Sequence, residues 1–139
     1  MKYALSLLFL LTVSSVHAQP SHSLILDGDL ARQLTAASLK EDVAENDKRV
    51  LQSRAWFDKV VKATGEDEKA VAAQCQRTAM YILDLTRVRA TPVEVLEALA
   101  LHAKTAGSMQ DAALAYVNAR RAAPDKSHAA ALAALATRK

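Results

Sequence analysis

The chain has 139 residues, 51% of them apolar and 24% charged, and a formal net charge of +3 from 18 basic and 15 acidic side chains. That length suits one modest domain once a leader is set aside. Acids and bases interleave and only 4% of residues are aromatic, which argues against a nucleic-acid partner, since that needs a basic patch and stacking surfaces.

Met1 and Lys2 supply a positive start, and an apolar, leucine-rich run follows from Tyr3 to Val13. Ser14, Ser15 and Val16-His17-Ala18 then precede Gln19-Pro20. This is the order of a secretory signal peptide, residues 1–18, with the cut expected after Ala18. The apolar run is about half of the roughly 20 residues that span a bilayer, so no stable membrane anchor is expected after cleavage. No cysteine stands at the cut to accept a lipid. The mature chain, 19–139, is expected to be periplasmic or secreted and to fold as a single helical domain.

Three glycines, three prolines and abundant alanine leave good helix formers almost everywhere. No run of alternating β-branched residues suggests a strand. The expected fold is all-α, helical hairpins or a bundle of about five helices. Gln19 to Leu26 reads as a short, loosely held lead. Asp29 is then placed to cap the first helix. Asp27-Gly28-Asp29 lacks the further oxygen ligands and distal glutamate of a calcium loop. The region 29–64 is either one long helix with an exposed middle or two helices with a break, because 41–49 is strongly charged. Trp56 and Phe57 hold most of the aromatic volume there and are expected to anchor the core.

Gly65 ends that region, and Glu66, Asp67 and Glu68 suit the positive end of the next helix. The second helix is expected over 67–89. Val71, Cys75, Thr78, Ile82 and Leu85 form its buried stripe, with Arg87 and Arg89 in the last turn. Cys75 is the sole cysteine, so no internal disulfide can form. Its place on that stripe predicts a buried apolar residue rather than a reactive thiol. Thr91-Pro92-Val93-Glu94 has the form of a capping box with proline in the first turn. It opens a hairpin over 92–123, whose first helix runs to Ala106 and is stopped by Gly107. Ser108 caps the second, which ends near Ala123-Pro124. A last alanine-rich helix covers 127–137.

Within that hairpin, Leu96, Leu99, Ala100 and Ala103 on the first helix, Gly107 at the turn, and Ala112, Tyr116, Ala119 and Pro124 carry a recognisable spacing. The segment Val93 to Lys126 resembles a single tetratricopeptide repeat, a helix–turn–helix unit of about 34 residues. It departs from that pattern in lacking the first-helix aromatics, where Leu96 and Ala103 stand. The resemblance implies a stacking scaffold in which the last helix acts as a cap, and a groove for protein segments. The groove side of the first helix would present Glu94, Glu97, Leu101 and Lys104.

Chemical signatures are sparse. His22, His102 and His128 stand far apart, without metal-ligand spacing, and no phosphate-cradling glycine loop or nucleophile elbow occurs. No catalytic, cofactor-binding or metal residue is expected, and no cofactor. The expected function is therefore an exported, non-catalytic helical protein mediating protein–protein interaction. The alternative is a periplasmic immunity or inhibitor protein against a secreted toxin, with an acidic patch at Asp67 or a protruding loop as the inhibitory element. An enzyme assembled only in the fold, around Cys75 with a histidine and a carboxylate, is a further reading. A homo-oligomer is left open.

Overall fold

A computed structural model describes residues 28–137. The signal peptide, its cut after Ala18 and the lead from Gln19 to Leu26 lie outside the described residues. Six helices follow one another: α1 (Leu30–Leu39), α2 (Lys48–Thr64), α3 (Glu68–Thr86), α4 (Pro92–Ala106), α5 (Met109–Ala122) and α6 (His128–Ala136). The fold is all-α, with no strand among the described residues.

The sixth helix comes from a break in the region 29–64. Lys40 takes a left-handed conformation at φ 59° and its N–H returns to the carbonyl of Ala36, closing α1. Residues 40–47 then run as an irregular connection, and Asp47 caps α2 by accepting from the N–H of Arg49. The connection is held against α1. Val43 is buried, and Arg32 donates from Nε to the Val43 carbonyl at 2.6 Å and from Nη2 to Asp42 at 2.9 Å. A charged stretch with one apolar plug thus spans the gap more favourably than a helix that would leave that plug in water.

Asp29 caps α1, accepting from the N–H of Arg32 at 3.1 Å, and it also pairs with Arg54 of α2. Burial raises its pKa, but the hydrogen bonds from Arg54 and the Arg32 amide outweigh that and hold the carboxyl below its ordinary range. Asp47, hydrogen-bonded by the side chain and N–H of Arg49, is lowered to about 2. Both shifts are downward. Their contributions are present above the ordinary carboxylate range and are lost as pH falls through the folded values. Stability is therefore expected to fall between about pH 4 and pH 2, and Asp29→Asn should flatten part of that slope in urea titrations across pH. An unchanged slope would contradict the assignment.

Local signals close the remaining helices. Gly65 at φ 74° ends α2, Asp67 caps α3, and Gly107 at φ 84° ends α4. Helix α3 closes at Arg87, which holds φ 60° with its N–H on the Leu83 carbonyl. A side chain in the left-handed region is strained where glycine is not. Arg87→Gly is accordingly expected to raise stability by up to about 1 kcal/mol, read as a higher thermal midpoint. A lower midpoint would sink this reading.

Helix α4 lies at the centre and packs against all five others. Val95, Leu96, Ala98, Leu99 and Ala103 are buried along it. Helices α4 and α5 form the hairpin, with Ala112, Tyr116 and Ala119 buried on α5. Alanines at Ala98, Ala103, Ala112 and Ala119 let the two backbones approach, and Leu96, Leu99 and Tyr116 fill the space beside them. Helix α6 packs on α5 and α4 through Ala131 and Leu135.

Three expectations need correction. Phe57 is buried, but its neighbour Trp56 is only partly so. Adjacent residues on a helix point about 100° apart, and the buried face of α2 is the one that carries Val50, Ser53, Phe57 and Val60. Leu85 is 39% exposed. Leu83 and Asp84 are exposed with it, so the buried stripe of α3 ends at Ile82. Arg87 is the residue that closes α3 and Arg89 lies beyond it, so neither stands in the helix's last turn.

Candidate functional site

Three places could carry function: a polar network inside the hairpin, a cavity between α1, α2 and α4, and a groove between α3 and α5.

The polar network centres on Arg120, which is 1% exposed near the end of α5. Its Nη1 donates to the Tyr116 hydroxyl at 3.0 Å and to Glu94 Oε2 at 3.3 Å, and its Nη2 to the Arg89 carbonyl at 3.0 Å. Its Nε is buried without a partner. The Tyr116 hydroxyl lies 2.7 Å from His128 Nδ1, and His128 Nε2 lies 2.9 Å from Glu97 Oε2. The donors and acceptors close with the imidazole proton on Nε2. Tyr116 accepts from Arg120 and donates to Nδ1, while Nε2–H donates to the Glu97 carboxylate. Burial pushes the Tyr116 hydroxyl up to about 12. This line joins α4, α5 and α6 and staples the final helix to the hairpin.

A carboxylate–histidine–tyrosine line resembles a proton relay in composition. Its tyrosine is closed to solvent, because the Tyr116 side chain is fully buried and Arg120 and His128 occupy its hydroxyl. Glu94 also serves the capping box: Thr91 Oγ1 accepts from the Glu94 N–H at 3.2 Å, and Glu94 Oε2 accepts from the Thr91 N–H at 2.9 Å. Thr91→Ala removes half of that box and is expected to cost about 1–2 kcal/mol in urea unfolding. An unchanged midpoint would remove the box from the account.

The cavity of about 440 Å³ is lined by α1, α2 and the start of α4. Leu39, Trp56 and Val93 form its apolar walls, and Lys48, Arg49 and Gln52 lie along one side. Glu94 reaches its wall, the one point where the polar network touches it.

The groove between α3 and α5, about 330 Å³, is lined by Arg77, Thr78 and Tyr81 on one side and Ala113, Leu114 and Val117 on the other. Tyr81 is 55% exposed and Leu114 56%. Met80, beside Tyr81 on α3, is 68% exposed.

The four residues expected on a groove face separate into two pairs. Glu94 and Glu97 are half-buried and hold Arg120 and His128, so their carboxylates are already engaged. Leu101 and Lys104 are exposed. Cys75 is buried, and burial pushes its thiol far above the ordinary range. His102 is partnered locally with Thr105, and His22 lies outside the described residues. Among the described residues no three of histidine, cysteine, aspartate and glutamate converge as metal ligands. No helix there is long and apolar enough to cross a membrane.

Sequence reasoning gave Arg120 no role. A signal was available: it stands four residues after Tyr116, on the same helix face as a buried residue. Comparison of the chain with known families, curated proteins and solved structures finds no match.

Proposed function

We propose that this is an exported, non-catalytic helical protein that binds another protein through the α3–α5 face. The observation that supports it most directly is the pair of large side chains, Tyr81 and Leu114, left in water on opposite walls of one groove. Single exposed apolar residues are ordinary, but grouped ones mark interaction surfaces. Tyrosine is also among the residues that dominate binding energy at such surfaces. The repeat-like spacing of small and large residues in α4 and α5 supports a scaffold role, with α6 as its cap. Export rests on the order of charge, apolar run and small residues in 1–18.

The engagement of Glu94 and Glu97 inside the protein moves the proposed binding face from α4 to α3 and α5. Tyr81→Asp and Leu114→Asp each place a charge where an apolar contact would form. Each should leave stability within about 0.5 kcal/mol, because both sites are exposed. Each should weaken capture of the partner by about tenfold or more. Undiminished capture by the double variant would defeat the proposed face.

A further inference from the structure

The geometry points to the α1–α2–α4 cavity as a binding site for a small organic acid with an apolar body, its carboxylate held by Lys48 and Gln52. The inference is independent of the α3–α5 face. A volume of about 440 Å³ with predominantly apolar walls matches the usual size and character of small-molecule sites.

The polar groups of the inner wall are already used. Thr35 Oγ1 donates to the Ala31 carbonyl at 2.7 Å and lies 2.8 Å from Ser53 Oγ. Ser38 Oγ donates to the Leu34 carbonyl at 2.8 Å and accepts from the Val93 N–H at 3.1 Å. Thr91 and Glu94 are spent on the capping box, and Glu94 also on Arg120. A ligand therefore meets Leu39, Trp56 and Val93 as an apolar lining with no unmet hydrogen bond.

Along the α2 side, Arg49 already has its charge balanced by two carboxylates. Its Nε and Nη2 donate to Asp47, and its Nη1 to Glu41. Lys48 and Gln52 differ. They stand one turn apart on α2, both line the cavity, and neither side chain has a hydrogen bond or ion pair among the described residues. Residues four apart share a helix face, so an ammonium and an amide converge on one edge of an apolar chamber. Lys48 is the uncompensated charge, which selects an anion. Gln52 supplies a second, neutral donor. A carboxylate on an aliphatic or aromatic body satisfies both, whereas an amine of the same body would meet Lys48 with like charge.

Trp56 is the only tryptophan, so its fluorescence reports this cavity alone. The test is titration of the protein with octanoate, octanol and octylamine below their aggregation limits. Octanoate should give a saturable change with roughly tenfold tighter binding than octanol, the worth of one charge-assisted hydrogen bond. Octylamine should bind more weakly than octanol. Lys48→Gln should erase the preference for octanoate and Lys48→Arg should retain it, both with the wild-type unfolding midpoint. Absence of a saturable response, equal binding of octanoate and octanol, or a preference that survives Lys48→Gln would each overturn the proposal.

Discussion

Arg120→Ala is expected to lower the unfolding free energy by about 3 kcal/mol, towards the lower end of what breaking a buried ion pair costs. The substitution removes hydrogen bonds to Tyr116, Glu94 and the Arg89 carbonyl together. It also leaves a space where a long side chain filled the end of α5. The full penalty of a stranded charge does not apply, because the Glu94 side chain is 31% exposed and can take up water. Arg120→Met keeps most of the aliphatic stem and should cost less, about 1–2 kcal/mol. Urea unfolding measures both. A loss below about 1 kcal/mol for Arg120→Ala would show that the network contributes little net stability.

The second large effect is expected at Phe57. It is among the largest fully buried side chains and faces the core from α2. Phe57→Ala should cost about 3–5 kcal/mol, from lost transfer energy and the cavity left behind. Trp56→Ala removes a larger side chain from the adjacent position yet should cost only about 1–2 kcal/mol, because water already reaches the indole. The ordering, more than either value, is the check. An equal or reversed loss would mean that Trp56 and not Phe57 anchors α2.

That pair shows what the sequence could and could not disclose. The apolar content at 56–57 marks a core contact, but deciding which ring turns inward requires the neighbouring helices. The caps were legible because they are local. Asp29, Gly65, Thr91 with Glu94, Gly107 and Ser108 each act within a few residues of themselves, whereas Asp67, expected inside α3, is its cap. The break at 40–47 was not decided, since charged residues suit an exposed helix and a loop equally. The left-handed turn at Lys40 carries no glycine to announce it. Leu85 fitted the period of α3 but lies past Ile82, where its buried stripe ends. Periodicity gives a face, not the length over which that face is covered.

The candidate sites were less legible for the same reason. Arg120 draws on residues at 89, 94 and 116, and His128 on 97 and 116, so no short window contains either set. Glu94 and Glu97 read from sequence as an exposed acidic row on one helix. In the fold that row faces α5 and α6, where a buried guanidinium and an imidazole meet it. The α3–α5 groove likewise depends on two helices separated by α4 in the chain.

The central claim is tested most directly by placing a photo-crosslinking residue at Tyr81, and in a separate variant at the exposed Lys59 of α2, and illuminating the protein in its native host. The account predicts one reproducible protein adduct from position 81 that is absent from position 59. Adducts of equal kind and yield from both positions, or none from position 81, would contradict a binding face between α3 and α5.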